Sequence, residues 1–205
     1  NFYDRSSRYV ARDVARSIAR EIGNRVLKVG VFVNATHDEI AVAWTAAYEH
    51  LEPWFNRDGS TCFGAFRVAG RGRVAKVQCD ASAMFSPRMF RRFVAPHLER
   101  QCAWLDHSLY HLDGTQAMSH LDVLLNEVPS LDAIEWTPQA GIESGGHPRW
   151  YDLYRRIKAA GKSVQVLCEA DEVAPLLNAI GAEGTCVLAS FRSVEHYAAV
   201  ADQVG

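Results

Sequence analysis

The second half of the chain repeats one pattern, in which a short apolar run typical of a buried strand is followed by a longer run with helical periodicity. Short strands that alternate with helices imply right-handed crossover connections and a parallel sheet. The predicted strands cover 108–112, 131–136, 164–168 and 185–189, and the helices that follow them cover 116–127, 148–160, 171–180 and 193–204. This alternation predicts an α/β fold.

Two geometries satisfy such an alternation, an open doubly wound sheet and a closed barrel. The chain has neither the GxGxxG nor the GxxxxGK[ST] loop that would favour an open nucleotide-binding sheet. About seven strands are expected along the chain, close to the eight of a TIM barrel. We therefore predict a single (β/α)8 TIM-type barrel domain over residues 1–205, either incomplete or assembled from two barrel fragments.

The amino-terminal part of the chain adds further elements to this pattern. Apolar residues recur every fourth position over 7–22, which predicts an amphipathic helix, and the β-branched run 26–33 predicts a buried strand. A second helix is expected to begin near His37, and another to run to about Trp54. The order helix, strand, helix continues the α/β pattern.

Strand signals in the middle of the chain are weaker. We expect two strands and a flexible turn between them, over 61–68, 73–79 and 69–72 respectively. Ser86 followed by Pro87 is a helix start, because Ser caps the helix and Pro suits its first residue. Pro96 is expected to kink or divide that helix.

The composition argues against several classes of partner. The formal charge of -2, from 22 Lys and Arg against 24 Asp and Glu, provides no broad basic surface for nucleic acid or an anionic membrane. No apolar run reaches the roughly 18–20 residues of a membrane-spanning helix, and five Arg in residues 1–20 are unlike a signal peptide. The five cysteines form no CxxC pair, so reduced thiols in a cytoplasmic protein are expected. Asn1 in place of Met indicates a fragment, a processed product or an incomplete gene.

Candidate functional residues follow the predicted strands, because the chemistry of a barrel belongs at the carboxyl ends of its strands. His111 and Asp113 lie two residues apart and point to the same side of an extended strand. Together they can bind Zn or another divalent ion, or form an acid/base pair in which Asp113 orients the imidazole. The alternative is that Asp113 caps the next helix.

Other strand ends carry polar or aromatic residues too. Asp80 is a candidate catalytic acid or a turn cap, and Glu135 within a strand needs a partner. Trp136 is expected to form a pocket wall, and Glu169 to contact substrate. The glycine-rich segment 139–147 is either an anion-binding loop or a mobile one.

From about residue 54 onwards the chain resembles the uroporphyrinogen decarboxylase superfamily, especially its methyltransferase-like branch. The residues that carry the resemblance are 79–90, 110–114 and 131–138. It implies a barrel that decarboxylates uroporphyrinogen or moves methyl groups to and from corrinoid proteins and thiols.

The resemblance also implies a zinc site in which His111 matches the His of a His-x-Cys pair. Asp113 stands in the place of that Cys, and Cys186 matches the later Cys ligand loosely. The Arg-rich substrate segment of the decarboxylases has no counterpart.

The first 40 residues resemble a different barrel family, phosphoribosylanthranilate isomerase of tryptophan biosynthesis. The similar residues are 1–3, 7–10 and 28–34. This resemblance implies that Arg8 contacts the carboxylate of an anthranilate-like substrate. Two families that meet in one chain predict a seam near 41–54, which we expect to cause mobility or dimerisation if it fits poorly.

These observations lead to one leading functional hypothesis and two alternatives. The leading one is a methyltransferase-like enzyme in which His111 and Asp113, with Cys186, bind a divalent metal or orient a small-molecule substrate. A corrinoid is then a substrate or the cofactor of a partner protein, and Asp80 and Glu135 line the pocket. The alternatives are phosphoribosylanthranilate isomerase and a catalytically silent barrel module; a homodimer is compatible with each.

Overall fold

The computed structural model describes residues 37–56, 58–63 and 66–204. The chain divides into two compact units, Asn1–Gly59 and Ser60–Gly205. The helix expected over 7–22 and the strand expected over 26–33 lie outside the described residues.

In the first unit the structure describes one long helix, α1 (His37–Phe55), which confirms helical structure from near His37 to about Trp54 but joins the two expected helices into one. The predicted seam at 41–54 lies entirely within this helix. Tyr48 packs against Trp44 and Phe55, with ring centroids 5.7 and 5.3 Å apart. Neither α1 nor any other helix in the described part of the chain is long and apolar enough to cross a membrane.

The second unit contains a two-stranded hairpin and a five-stranded parallel sheet. The hairpin pairs β1 (Ser60–Phe63) with β2 (Val68–Arg71). The strands of the parallel sheet are β3 (Val74–Val77), β4 (His107–Asp113), β5 (Ala133–Thr137), β6 (Ser163–Glu169) and β7 (Thr185–Ser190). They lie side by side in chain order, which confirms the predicted α/β fold with a parallel sheet.

Helices connect successive strands of this sheet. They are α2 (Pro87–Phe93), α3 (Ala95–Trp104), α4 (Gly114–Ala117), α5 (Leu121–Glu127), α6 (Tyr151–Ala159), α7 (Val173–Ile180) and, after the last strand, α8 (Val194–Ala201). Right-handed crossovers between strands in sequential order place all of their helices on one face of a sheet. The packing agrees, since Phe90 of α2 contacts Tyr110 of β4 and Arg156 of α6 donates to Asp122 of α5 over 2.6 Å.

The prediction of one strand over 61–68 followed by a flexible turn over 69–72 is wrong. The chain reverses within that segment, so its two ends belong to β1 and β2, and most of the supposed turn is strand β2. The glycines permit close approach here. A Cβ at Gly70 would lie 2.9 Å from the His107 ring, and one at Gly72, where φ is +78°, would collide with the carboxylate of Asp106.

The helix signals of the sequence are mostly confirmed. Ser86 Oγ accepts a hydrogen bond from the Met89 amide over 3.3 Å at the start of α2, and Pro96 lies in the first turn of α3 where the predicted helix divides. The helix expected over 116–127 is interrupted by a 3-10 turn at Met118–His120. That turn buries His120, which stacks on Phe90 at 4.4 Å.

Candidate functional site

The two faces of the parallel sheet differ in chemistry. Tyr110, Leu112, Ile134 and Trp136 point to the helix-covered face and are at most 1% exposed. Residues between them in the strands point to the opposite face, because side chains alternate along a strand. We call this opposite face the polar face and define it by Lys76, His111, Glu135, Thr137 and Gln165.

Strand register places these residues in rows. His111 of β4 lies beside Glu135 of β5, and Glu135 lies beside Gln165 of β6. Lys76 of β3 pairs with Leu109, two residues before His111, and therefore points to the same face. The polar face thus presents neighbouring side chains from four successive strands.

A buried carboxylate holds the imidazole of His111. Glu135 is only 4% exposed, and its Oε2 accepts a hydrogen bond from Nδ1 of His111. Its other oxygen accepts a hydrogen bond from the Thr137 hydroxyl over 2.5 Å. An ionised carboxylate only accepts hydrogen bonds, so with Glu135 ionised this contact requires the proton on Nδ1. In the neutral ring the lone pair is then on Nε2.

The sequence suggested that Asp113 orients the imidazole of His111, but in the structure Glu135 has this role. Nε2 of His111 is 3.8 Å from Asp113 Oδ2, beyond hydrogen-bonding distance, and the Asp113 side chain is 59% exposed. The imidazole is therefore oriented by Glu135 and not by Asp113. Asp113 occupies the cap position of α4 but its side chain makes no capping hydrogen bond.

Phe66, from the loop of the hairpin, lies over the polar face. Its ring centroid is 5.0 Å from that of His111 and 4.3 Å from Nζ of Lys76. Its carbonyl accepts a hydrogen bond from Gln165 Nε2 over 3.1 Å. The next residue, Arg67, has a positive φ of 52°, an uncommon conformation for a side chain other than glycine. One aromatic residue thus joins Lys76, His111 and Gln165.

The electrostatic surroundings of Lys76 combine burial with acidic neighbours. Burial lowers the pKa of its amine below the ordinary value, and the charges of Asp80, Glu135 and Asp113 oppose this shift. The burial effect is the larger one. Asp80, the first residue of the 3-10 turn after β3, therefore acts on the polar face through its charge.

Two of the residues predicted to form the site lie elsewhere, and a third is outside the described part of the chain. Trp136 points to the helix-covered face and packs against Trp150, with ring centroids 5.0 Å apart, so it shares no pocket with Glu135. Glu169 forms a capping box with Glu172 at the turn after β6, and this capping role occupies its carboxylate. Arg8 lies outside the described residues.

The zinc site implied by the resemblance does not fit the geometry. Cys186 lies on β7, three strands from His111, a separation of roughly 14 Å at the usual spacing of strands. Over residues 37–56, 58–63 and 66–204, no three His, Cys, Asp or Glu side chains are grouped so that they can hold a metal ion. His111 and Asp113 alone supply two ligand atoms, fewer than the three protein ligands of catalytic zinc sites.

The glycine-rich segment 139–147 is a loop that hydrogen bonds and close packing hold in place. Ser144 donates a hydrogen bond to Glu172, and the carbonyl of Gly145 accepts one from the buried Tyr154 hydroxyl over 2.5 Å. A Cβ at Gly146 would collide with Glu172 and Cys168, so a larger residue does not fit there. These contacts give the loop a packing role at the carboxyl end of β6.

The sequence reasoning missed Lys76, Thr137, Gln165 and Phe66. The sequence could have identified Lys76 and Gln165, because each is a polar residue between apolar neighbours in a short strand, as in Val74-Ala75-Lys76-Val77. Such a residue is either at an edge or turned to a polar face. Phe66 gave no such signal, since only the hairpin brings it over the sheet.

Comparisons of the chain with protein-family models, with curated proteins and with solved structures found no match.

Proposed function

We propose that the chain is an enzyme in which His111 and Glu135 transfer a proton to and from a carbon atom next to a carbonyl group of a small substrate. The observation that carries the proposal is the hydrogen bond between Nδ1 of His111 and the buried Glu135 carboxylate. Such a carboxylate orients an imidazole and stabilises its protonated form, which makes the ring an effective general base.

The rest of the contacts support the same role. Because Glu135 also accepts a hydrogen bond from Thr137, its position and that of the ring are determined from two sides. His111 retains 14% of its side-chain exposure, so a substrate can reach the ring. The proton moves from the substrate carbon to Nε2, and the imidazolium returns it to the same or a neighbouring atom.

The charge of the site favours a neutral substrate. Near Lys76 stand three carboxylates, those of Asp80, Asp113 and Glu135. One ammonium cannot neutralise three carboxylates, so a polycarboxylate would meet net repulsion here. This argues against uroporphyrinogen as the substrate and favours a small uncharged carbonyl compound.

We also propose that the five-stranded sheet is an arc of a (β/α)8 barrel. Sequential parallel strands with helices on one face are the repeating unit of such a barrel, and the opposite face then lines its interior. The polar residues of that face and the location of His111 near the carboxyl end of β4 agree with a barrel active site.

Methyl transfer to or from a corrinoid or thiol remains the prediction of the first resemblance. The arrangement of His111, Asp113 and Cys186 gives it no three-ligand site, so we place proton transfer first. The isomerase alternative depends on Arg8, about which the described residues give no information.

The proposal is tested by carbon-bound proton exchange, which needs no knowledge of the final product. The purified full chain is incubated in D2O with uncharged aldehydes and ketones, and the loss of the α-proton signals is followed by NMR. We expect His111→Gln to lower the exchange rate by about 10²–10⁴-fold, the usual contribution of a general base.

His196→Gln is the matched control. His196 also contacts a carboxylate, with Nε2 3.0 Å from Asp171 Oδ1, but it lies in α8, away from the polar face. We expect this variant to exchange protons at the rate of the unmodified chain. Equal exchange by the His111 and His196 variants, or no exchange above buffer with any compound, would contradict the proposal.

A further inference from the structure

Lysine is rare in this chain, and its ammonium groups have contrasting surroundings. There are four lysines, Lys28, Lys76, Lys158 and Lys162, of which the structure describes the last three. Nζ of Lys162 donates to the carbonyls of Val128 and Leu131 over 2.9 and 2.7 Å. Nζ of Lys158 donates to the carbonyls of Ile180 and Gly181 over 2.6 and 3.0 Å.

Lys76 differs from both. Within the described residues its Nζ has neither a hydrogen bond nor a salt bridge, and its contact is with the ring of Phe66. The N–H groups of an amine held by backbone carbonyls are committed as donors, whereas the Lys76 amine has no carbonyl or carboxylate acceptor within the described residues. Of the described lysines, Lys76 is therefore the candidate whose nitrogen can react with a substrate.

The amine also lies beside the proton-transfer pair. Phe66 contacts both Nζ of Lys76 and the ring of His111, and β3 and β4 are adjacent strands. Burial lowers the pKa of the amine, which raises the fraction of the neutral, nucleophilic form at a given pH. The position of the Lys76 amine and its lowered pKa thus both favour nucleophilic attack on a carbonyl group beside His111.

We propose that Lys76 is a catalytic nucleophile that forms an imine with the carbonyl group of a small hydroxylated aldehyde or ketone. This inference rests on the proposed function, because the imine forms on the substrate from which His111 removes a proton. It identifies the substrate class and the group that makes its carbon acidic.

The steps balance without a cofactor. The neutral amine adds to the carbonyl carbon, the carbonyl oxygen takes up a proton and the nitrogen releases one, which gives a carbinolamine. Loss of hydroxide, protonated as it leaves to form water, gives the protonated imine. Nε2 of His111 removes a proton from the carbon next to the imine carbon. The electron pair of the broken C–H bond moves towards the imine nitrogen, which gives an enamine. Reprotonation and hydrolysis by water release the carbonyl compound and the free amine.

Gln165 provides the reason for a hydroxyl group on the substrate. Gln165 is 4% exposed, and its Oε1 has no hydrogen-bond partner in the part of the chain that the structure describes. Its Nε2 donates to the Phe66 carbonyl, which fixes which end of the amide is the acceptor. An unsatisfied buried acceptor is costly, and a substrate hydroxyl that donates to Oε1 would remove that cost.

The proposal is tested by reductive trapping. The full chain is incubated with dihydroxyacetone and sodium borohydride, which reduces an imine to a stable secondary amine, and the labelled lysine is located by peptide mass spectrometry. We expect Lys76 to be labelled at least about tenfold more than Lys158 and Lys162, which serve as internal controls. Labelling that is equal at the three lysines, or absent from Lys76, would overturn the proposal.

Two variants separate this inference from the proposed function. Lys76→Arg keeps the positive charge but forms no imine, so we expect it to lose both trapping and proton exchange while its circular dichroism spectrum is unchanged. Proton exchange that survives in Lys76→Arg overturns the imine and leaves the general base intact. His111→Gln is expected to keep trapping at Lys76 and to lose exchange. If the unmodified chain is labelled at Lys76 but exchanges no protons, the general base fails and the imine stands.

The role of Gln165 has its own outcome. Acetone lacks the hydroxyl groups of dihydroxyacetone but carries the same carbonyl group. We expect trapping by acetone to be about tenfold weaker, in line with one lost hydrogen bond to a buried acceptor. Equal trapping of the two ketones would overturn the assignment of a hydroxylated substrate.

Discussion

The two faces of strand β5 show how one short segment serves two purposes. Ile134 and Trp136 point to the helices and are fully buried among apolar side chains, whereas Glu135 between them points to the polar face and holds His111. Burial of apolar surface on one face stabilises the fold, and hydrogen bonding on the other determines the orientation of reactive groups. Stability and chemistry are therefore separable at adjacent positions.

The largest effect on stability is expected on the helix-covered face. Trp136→Ala removes a large buried ring that packs against Trp150, and we expect the free energy of unfolding to fall by about 3–5 kcal/mol. Chemical denaturation followed by circular dichroism measures this change.

Trp136→Phe is the control for this prediction. Nε1 of Trp136 has no hydrogen-bond partner among the described residues, so the smaller aromatic ring loses packing but no hydrogen bond. We expect it to cost clearly less than the Ala variant. Equal losses from the two variants would mean that the face is not held together by packing of the ring.

A second stability effect is expected at the amino ends of the strands. Lys162→Met leaves the carbonyls of Val128 and Leu131 without their buried donor, and we expect a loss of about 1–3 kcal/mol. The matched variant is Lys76→Met on the polar face, where Nζ makes no hydrogen bond within the described residues. Denaturation midpoints that shift equally would show that the two lysines do not differ as the structure indicates.

Glu135→Gln is expected to change the chemistry of the site more than its stability. The amide of Gln can donate to Nδ1 of His111, which would then accept and carry its proton on Nε2. We expect a change in unfolding free energy of about 1 kcal/mol or less, because the side chain keeps its shape and its contact with Thr137.

The tautomer of His111 is the direct measurement for this variant. Nitrogen chemical shifts of the imidazole distinguish a proton on Nδ1 from one on Nε2. We expect Nδ1–H in the unmodified chain and Nε2–H in Glu135→Gln. An unchanged tautomer would show that the carboxylate does not control the ring.

The smallest effect is expected at the surface. The amide of Arg73 donates to Asp106 over 2.8 Å, and this contact, with the Arg73 guanidinium, lowers the pKa of the carboxyl. A lowered folded-state pKa adds stability above the unfolded value near 3.9, and the gain is lost as the pH falls through the folded value.

Asp106→Asn removes that dependence. We expect the two chains to differ by at most about 1 kcal/mol at pH 6, because the carboxyl is exposed, and this difference to shrink as the pH falls through the folded-state pKa. Denaturation at pH 6 and at successively lower pH values measures the difference. A gap that widens on acidification would contradict the assigned pKa shift.

The sequence predicted the elements better than the site. Strands β4 to β7 and most helices followed from apolar runs, from the Ser86 cap and from Pro96, all of which act over a few residues. The hairpin was missed because its glycines are typical of a turn, whereas Gly70 belongs to β2, where it lies close to His107 from a segment far along the chain. Within the site, His111 and Glu135 were identified separately, but their contact was not.

What the sequence by itself determined is the alternation of short buried strands with amphipathic helices, because local periodicity decides which residues can be buried. Only the tertiary structure decided that Glu135 holds His111, that Trp136 faces away from both and that Lys76 joins them under Phe66. The physical reason is register: the pairing of β3, β4 and β5 determines which side chains become neighbours, and no single strand contains that information.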